Sequence, residues 1–395
     1  MGGAETALIE LLASVRSAEP DWELWLILGE DGPLTERASR LGVQVRVAAF
    51  PKTLARLGDA GGRGKAMAWG LIQAAFGIAG YRRRLKALLR EIRPDLIHTN
   101  GFKMHLLGAW SCPAGTPLIW HVHDYIRSRR MMSRIMQRNS SRCAAVLVNS
   151  KSVARDVQAL LPKHRVVVLY NAVDLNLFAP AGDRLDLDTL SQLPAAADGA
   201  IRVGLVGTFA KWKGHKVFLQ ALSKLPKTVA VRGYVIGGPI YQTQGSQWTV
   251  EELKAEASRL GLEGRVGFTG KVENPAAAMR GLDIVVHAST EPEPFGMVII
   301  EGMACAKPVI VSQAGGAVEL FEEGRTALGC PPGDAEALAR QIGTLAEDAE
   351  LRERLGKAAR VAIASTFARN HLSDVLINLY RVNAGSARET ALQLQ

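Results

Sequence analysis

Short apolar runs alternate with longer stretches of helical periodicity along nearly all of the 395 residues. The runs are rich in Val, Ile and Leu, as strands buried on both faces of a parallel sheet are. In the first half they predict strands at 24–28, 43–48, 95–98, 118–122, 145–148 and 165–169. In the second half they predict strands at 201–206, 229–236, 265–268, 283–287 and 308–311. Because strands alternate with helices, the pattern predicts an α/β fold with a parallel sheet in each half.

One segment between the halves lacks this pattern. Residues 179–200 read APAGDRLDLDTLSQLPAAADGA, a composition typical of a linker. We therefore expect an N-terminal domain at 1–178, a linker at 179–200 and a C-terminal domain at 201–370. A last helix at 371–395 should pack back toward the N-terminal domain. No repeat of 20–50 residues is present in the sequence, so the pattern indicates two Rossmann-like domains and excludes a solenoid.

Composition excludes several classes of protein. Hydrophobic residues make up 48% and charged residues 22%, which is ordinary for a globular chain. The four cysteines are scattered without CxxC spacing, which indicates a reducing compartment and no structural zinc site. They are Cys112, Cys143, Cys305 and Cys330.

The net charge of +10 belongs to the first half of the chain. Residues 1–180 contain 25 Lys and Arg against 14 Asp and Glu, whereas residues 181–395 are nearly balanced. This asymmetry indicates an anionic partner for the first half. Within it, the segment 65–92 joins an apolar stretch, too short for the ~20 residues of a membrane span, to YRRRLKALLREIR. It is either a core helix with a solvated basic end or an interfacial helix on an anionic membrane.

Ligands of open parallel sheets bind beyond the carboxyl ends of the strands. The richest such place is EPEPFGMVIIE, in which Pro294 and Gly296 suit a helix start. The backbone amides near Phe295, Gly296 and Met297 would form a phosphate site. Glu301 follows Glu293 by eight residues, about 12 Å along a helix at ~1.5 Å per residue. That separation would let the two carboxylates accept hydroxyl hydrogen bonds from a sugar and a ribose across a diphosphate, although solvated surface glutamates remain the alternative.

Two other residues lie at the same predicted edges. Lys213 sits beside a glycine in AKWKG after a strand, where it could bind a diphosphate or be an ordinary surface lysine. His123 follows the strand at 118–122 and precedes Asp124, so it is a candidate ligand contact, with a structural histidine as the alternative.

Seven motifs stand in the order found in one enzyme family: Gly2–Gly3–Ala4–Glu5, DLIH at 95–98, His123–Asp124, Asn149–Ser150, NAVD at 171–174, Glu293-x7-Glu301, and Gly315–Gly316 with Glu319. With these motifs, the chain resembles glycosyltransferase family 4 over nearly its whole length. These are retaining, nucleotide-sugar-dependent enzymes of the GT-B fold, in which two Rossmann-like domains face a cleft.

The resemblance implies a role for each matched residue. Glu293 and His123 would be the catalytic residues, contacting the hydroxyls of the donor sugar and the transferred sugar. The remaining donor-binding residues would hold the ribose and the diphosphate; they are Gly2, Gly3, Lys213, Phe295, Gly296, Met297 and Glu301. The acceptor or membrane side would carry Arg82, Arg83 and Arg84.

Two departures from the family pattern are present. Thr208 stands where the family has an arginine that pairs with the lysine on the diphosphate, so Lys211 or another basic group should substitute, or donor binding should be weaker. In addition, the family has a β-strand before the opening glycine loop, and here the first strand of the N-terminal sheet is missing. We expect the natural start of the chain to lie upstream, or the chain to fold poorly.

These features predict a retaining glycosyltransferase that moves a sugar from a UDP- or GDP-sugar to a glycan or lipid-linked acceptor. The resemblance implies no metal or other cofactor, and a protein that is cytoplasmic or peripheral on the inner face of a membrane. A non-catalytic partner subunit, favoured by Thr208, and a nucleotide-sugar epimerase are the alternatives. No strand leads into G-x-G-x-x-G, which disfavours a nicotinamide dehydrogenase. The basic runs lack a nucleic-acid-binding module.

Overall fold

The computed structural model describes residues 2–51, 65–226, 228–239 and 245–393, with the backbone alone at 65–75 and 386–393. Two compact units are present. The N-terminal unit contains residues 3–170 and the helix that begins at Arg369, and the C-terminal unit contains residues 171–368. Both are α/β units whose strands are all parallel, as the alternating pattern predicts.

The N-terminal unit has six strands in the described residues. In chain order its elements are α1 (Gly3–Ala18), β1 (Trp25–Leu28), α2 (Pro33–Arg40), β2 (Gln44–Val47), α3 (Lys65–Ile92), β3 (Ile97–Asn100), α4 (Phe102–Ser111), β4 (Leu118–Val122), α5 (Arg130–Asn139), β5 (Ala145–Val148), α6 (Lys151–Leu160), β6 (Val166–Val168) and α14 (Arg369–Gln393).

These strands form two sheets, β1-β2 and β3-β4-β5-β6. No described strand lies between β1 and β3 and pairs with both. Ile27 of β1 and Ile97 of β3 nevertheless pack against the same hydrophobic cluster. Among the described residues, the strands of the N-terminal unit are therefore divided between two sheets. The shared cluster keeps the two sheets in one core.

The C-terminal unit has a single six-stranded sheet in the order β12-β11-β10-β7-β8-β9. Its elements are α7 (Leu187–Leu190), β7 (Ile201–Val206), α8 (His215–Lys224), β8 (Val231–Ile236), α9 (Val250–Arg259), β9 (Val266–Gly270), α10 (Pro275–Arg280), β10 (Ile284–His287), α11 (Met297–Ala304), β11 (Val309–Ser312), β12 (Leu328–Cys330), α12 (Ala335–Glu347) and α13 (Ala349–Thr366). The first strand, β7, lies beside both β8 and β10, so the chain winds outward in both directions from it. The strand order therefore reverses between β7 and β10, which is where doubly wound folds bind ligands.

The segment 179–200 is part of the C-terminal unit, although its composition predicts a linker. Asp188 in α7 is buried and accepts hydrogen bonds from Tyr234 (2.6 Å), Arg232 (2.7 Å) and Arg202 (3.2 Å). Burial alone would raise the pKa of Asp188, but these donors lower it below its ordinary value. The segment is therefore anchored to β7 and β8 by a buried carboxylate.

The last helix, α14, belongs to the N-terminal unit and packs on α1. Arg369 at its start donates from Nε and Nη2 to the two carboxylate oxygens of Glu10, at 2.6 and 3.0 Å. Glu10 is only 7% exposed, and a buried carboxylate is tolerated when it is paired in this bidentate way.

Helix α3 covers the segment with the apolar stretch and the basic end. Tyr81, Leu85 and Leu89 are buried in the core on one face, so this half of the helix is a core helix. For the first part of the helix, residues 65–75, the structure describes the backbone and not the side chains. Neither α3 nor any other helix in the described ranges has the length and apolarity needed to cross a bilayer.

Candidate functional site

Glu293 lies in the loop between β10 and α11, with Pro292 before it and Pro294 after it. Helical geometry is unfavourable for a residue that precedes a proline, so the backbone at Glu293 is extended. Its backbone pairs with the glycine turn that follows β11: the Glu293 N–H donates to Ala314 O (3.3 Å), and its carbonyl accepts from Gly316 N–H (2.6 Å). Glu293 and Gly315, which are 22 residues apart in the sequence, therefore meet at one sheet edge.

The helix after this loop is shorter than the sequence predicts. Helix α11 begins at Met297, with Gly296 as its N-cap at φ 110°. The predicted separation of Glu293 and Glu301 by about 12 Å of helix is therefore wrong, because only the last residues of that spacing are helical. Glu301 is half-buried in the second turn of α11. The Phe295 side chain is buried against Phe367, so only its backbone is available to a ligand.

The loop after β7 brings Lys213 to Glu293. Gly214 has φ 77°, and a Cβ on it would lie 1.8 Å from the carbonyl oxygen of Ala288, so a side chain there would prevent the loop from approaching β10. The Thr290 N–H donates to Trp212 O at 2.7 Å and ties the same two loops together. Lys213 Nζ then lies 2.7 Å from Glu293 Oε2.

Glu293 is a buried charge, only 6% exposed, and not a solvated surface glutamate. Burial alone would raise its pKa, but the Lys213 ammonium and the His287 hydrogen bond outweigh it and lower the pKa well below the ordinary value. The carboxylate is therefore ionised at neutral pH. It can accept hydrogen bonds from hydroxyls, while the adjacent ammonium can attract a phosphate.

Two further polar side chains contact Glu293 that the motifs do not single out. His287 Nε2 lies 3.1 Å from Glu293 Oε2, and Ser289 Oγ lies 2.9 Å from the same oxygen. The feature of the sequence that could have identified them is their position, at the end of a buried strand and just before EPEPFG. His287 ends a strand of apolar residues, so the strand pattern alone marks it only as a strand end.

The structure places Lys211 away from the Lys213–Glu293 pair. Lys211 Nζ lies 4.6 Å from the centre of the Trp248 ring, and Lys216 Nζ lies 4.1 Å from the same ring. Thr208 is half-buried in the loop between Val206 and the buried Phe209. Substitution of Lys211 for the family arginine therefore stays a prediction.

His123 in the N-terminal unit has a different environment. Its Nε2 lies 2.8 Å from Asn100 Oδ1, and its carbonyl accepts from Asn149 Nδ2 at 3.2 Å. Its ring stacks on that of His121 with centroids 4.0 Å apart. Burial lowers the pKa of His123 to about 4, so the imidazole is neutral at pH 7. Because Asn100 Oδ1 can only accept, the Nε2 nitrogen carries the proton.

The remaining predicted positions fall in the N-terminal unit or beside it. Gly3 is the first residue of α1, and Gly2 precedes it directly. Arg82 Nη2 donates to Trp110 O at 3.1 Å and its guanidinium lies over the Trp110 ring, whereas Arg83 and Arg84 are exposed. Arg82 therefore contributes to packing. Within the part of the chain that the structure describes, no three His, Cys, Asp or Glu side chains are grouped so that they could hold a metal ion.

Family profiles match both units. Residues 33–177 match the profile described as Glycosyltransferase Family 4, and residues 189–362 match that of glycosyl transferases group 1.

Individual proteins agree with the profiles. The lipopolysaccharide core biosynthesis glycosyltransferase LpsE of Rhizobium meliloti is 25% identical over 299 residues, which is 75% of this chain and 78% of LpsE. The D-inositol 3-phosphate glycosyltransferase of Mycobacterium avium is 31% identical over 241 residues, 60% of this chain and 54% of that relative. Among solved structures, Anabaena HepE in complex with UDP-glucose aligns with a TM-score of 0.77 at 27% identity and with 96% of each chain covered.

Proposed function

This chain belongs to glycosyltransferase family 4 and is a hexosyltransferase-type enzyme of the GT-B fold; from this premise we propose its donor, its stereochemistry and its acceptor. The donor is a UDP-sugar, with a GDP-sugar as the alternative, and transfer retains the configuration of the sugar. The observation that supports a nucleotide-sugar donor is the buried Lys213–Glu293 pair at the sheet edge where the strand order reverses. HepE, a structural neighbour, binds UDP and UDP-glucose, which favours UDP.

In this proposal the two charged residues of the pair bind different parts of the donor. Lys213, together with the backbone at Met297 and the start of α11, binds the diphosphate. Glu293 accepts hydrogen bonds from the sugar hydroxyls, and Glu301 accepts them from the ribose. The family resemblance further implies that His123 contacts the transferred sugar and that the Gly2–Gly3 backbone lies against the donor phosphates.

The reaction that the family resemblance implies is a front-face displacement. The bond between the sugar C1 and the diphosphate oxygen breaks, and the bond between C1 and the acceptor oxygen forms on the same face. The proton of the acceptor hydroxyl passes to the leaving phosphate oxygen, so no side-chain base is required. Stabilisation of the developing charge on the diphosphate by Lys213 carries much of the catalysis. We propose that no metal takes part, so activity should persist in excess EDTA.

The proposed acceptor is a glycan or lipid-linked intermediate at an anionic membrane surface. Helix α5 exposes a basic face with an apolar residue within it, Met131, which is 74% exposed. This combination of charge and apolar surface suits a peripheral position on anionic lipid. LpsE, a relative, is named for lipopolysaccharide core biosynthesis. The exposed arginines of this helix and of the residues just before it are Arg127, Arg129, Arg130, Arg134 and Arg138.

Vesicle co-sedimentation tests the acceptor surface. With phosphatidylglycerol vesicles at low salt, Arg83→Glu/Arg84→Glu and Arg130→Glu/Arg134→Glu should each reduce binding about 30-fold, since each of the two exposed cations removed contributes about 1 kcal/mol near such a surface. Lys254→Glu, an exposed position on α9 of the C-terminal unit, is the matched control. Equal loss in all three variants, or no wild-type binding at low salt, would contradict the membrane proposal.

Transfer and hydrolysis assays test the donor proposal. Glu293→Ala should lower kcat/KM for UDP-glucose or the preferred UDP-hexose by about 10³-fold, because it removes a preorganised acceptor and leaves Lys213 unpaired. Glu291→Ala, two residues away and exposed, should change it less than twofold. Nuclear magnetic resonance of the first product identifies the anomer. A folded wild-type protein that binds no nucleotide sugar, or that yields the inverted anomer, contradicts the proposal.

A further inference from the structure

We propose that His287 is a positioning residue that, with Ser289, holds the Glu293 carboxylate in the orientation that recognises the donor sugar. The inference rests on the proposed function, in which Glu293 contacts sugar hydroxyls. It adds a pair of residues that none of the family motifs identified in the sequence contains.

Three donors converge on one oxygen of Glu293. Lys213 Nζ lies 2.7 Å from Oε2, Ser289 Oγ 2.9 Å and His287 Nε2 3.1 Å. His287 Nε2 and Ser289 Oγ are also 2.9 Å apart. Since a carboxylate rotates about its last torsion with little resistance, several donors on the same oxygen determine which way the other oxygen faces.

The three donors differ in how firmly they are held. His287 is 3% exposed and Ser289 is 1% exposed, whereas the Lys213 side chain is 23% exposed on a flexible stem. His287 ends β10, whose register pairs it with Val311 of β11. The Ser289 carbonyl is itself held by a hydrogen bond from Ser312 Oγ. The histidine and serine are therefore fixed by the sheet, while the lysine is able to move.

This difference matters because Lys213 has a second partner in the proposed reaction. When a diphosphate is present, the ammonium is drawn toward it and its hold on Glu293 weakens. His287 and Ser289 carry no such competing task, so they keep the carboxylate ionised and oriented while Lys213 binds phosphate. Their hydrogen bonds also offset the cost of a buried charge.

The protonation of His287 follows from its surroundings. His287 Nδ1 is buried and has no hydrogen-bond partner among the described side chains and backbone. A proton on Nδ1 would be unsatisfied, so the proton is on Nε2, which faces Glu293 Oε2 and Ser289 Oγ. The Ser289 hydroxyl donates to Glu293 in turn, and the His287 Nε2–H supplies the second donor.

The experiment compares binding of UDP-glucose with binding of UDP alone, by calorimetry. UDP lacks the sugar, so a residue that positions Glu293 should affect only the sugar-containing ligand. His287→Leu should weaken UDP-glucose binding about tenfold, equivalent to about 1.4 kcal/mol, and change UDP binding less than twofold. His287→Gln keeps a donor near the Nε2 position and should restore most of the lost affinity. Ser289→Ala should act in the same direction, by about threefold.

Thermal unfolding of each variant without ligand shows whether the fold is retained, and Ser289→Ala carries the test if His287→Leu is unfolded. Equal weakening of UDP and UDP-glucose would overturn the inference, because it would show a merely structural role. If every variant keeps the wild-type ratio of UDP-glucose affinity to UDP affinity, the inference is overturned as well. If the wild-type protein binds UDP-glucose no more tightly than UDP, the proposed role of Glu293 fails, and the inference fails with it. The same comparison with GDP and GDP-glucose separates that outcome from a wrong choice of base.

Discussion

Burial disfavours the charged form of the ionisable groups at the polar edges of both units, but the two groups reach opposite charge states. In the N-terminal unit it lowers the pKa of His123 to about 4, and the group is neutral beside Asn100. In the C-terminal unit burial works against the ionisation of Glu293, but Lys213 and His287 outweigh it, and the group keeps its charge. A buried polar group therefore becomes neutral unless a counter-charge is built beside it. In the C-terminal unit Lys213 is that counter-charge, at the edge proposed to bind the charged donor.

The largest expected effect concerns stability in acid. Burial lowers the pKa of His98 to about 3 and of His123 to about 4, while the unfolded chain titrates near 6.5. Between pH 6.5 and 4 the unfolded state binds more protons, so the native state loses stability as the pH falls through this window. The N-terminal unit should lose more, because four of its described histidines have lowered pKa values. They are His98, His105, His121 and His123.

Hydrogen exchange followed by mass spectrometry at pH 7 and pH 5, corrected for the chemical exchange rate, measures this difference. Peptides from 97–122 should lose protection before peptides from 201–206. The C-terminal unit has His215, whose pKa is lowered to about 4 by burial, and should respond later. Equal loss in the two units would break the comparison.

The next effect concerns nucleotide binding. Lys213→Ala should weaken UDP binding about 100-fold, because it removes the cation proposed to contact the diphosphate and leaves Glu293 charged without its partner. Lys216→Ala, whose ammonium lies over Trp248, is the matched control and should change binding less than threefold. Isothermal titration with UDP measures both. The same loss in both variants would indicate a general field effect and not a specific contact.

A smaller effect is expected at the neutral edge. His123→Ala should lower kcat about 30-fold and leave the Kd for UDP unchanged, since a neutral imidazole contributes hydrogen bonding to the sugar and no charge to the nucleotide. Asn100→Ala should lower kcat less, about fivefold, because it frees the imidazole from one tautomer. Steady-state kinetics and UDP titration distinguish the two units. A large increase in the Kd for UDP would show that both edges bind the nucleotide.

The smallest effect tests the departure at Thr208. If the diphosphate lacks one cation in this chain, Thr208→Arg should tighten UDP binding about fivefold, as charge-assisted contacts near a phosphate do. Lys211→Ala in the wild-type background should weaken binding if Lys211 already supplies that charge. Tighter binding in the first variant with no change in the second would mean that Thr208 leaves the site short of charge. Unchanged UDP binding by Thr208→Arg would show that the diphosphate site does not lack a cation at position 208.

Much of the fold was predictable from the sequence. All eleven predicted strands are present, with ends shifted by at most two residues, because runs of Val, Ile and Leu are long enough to mark buried strands. The twelfth strand, Leu328–Cys330, was missed because three residues with a central glycine carry too little pattern. The composition of the segment 179–200 does not reveal its contacts, because Asp188 binds residues far away in sequence.

The sequence by itself determined the α/β class, the positions of the strands and the residue types at their ends, since these depend on local periodicity and on motif order. Only the tertiary structure decided which edge residues meet. Lys213 and Glu293 are 80 residues apart and are joined by the close approach of Gly214 to Ala288. His287 and Ser289 are close to Glu293 in sequence, but their own positions are held by contacts of β10 with β11 and with Ser312. Long-range contacts of this kind depend on strand order and backbone fit, which no local pattern encodes.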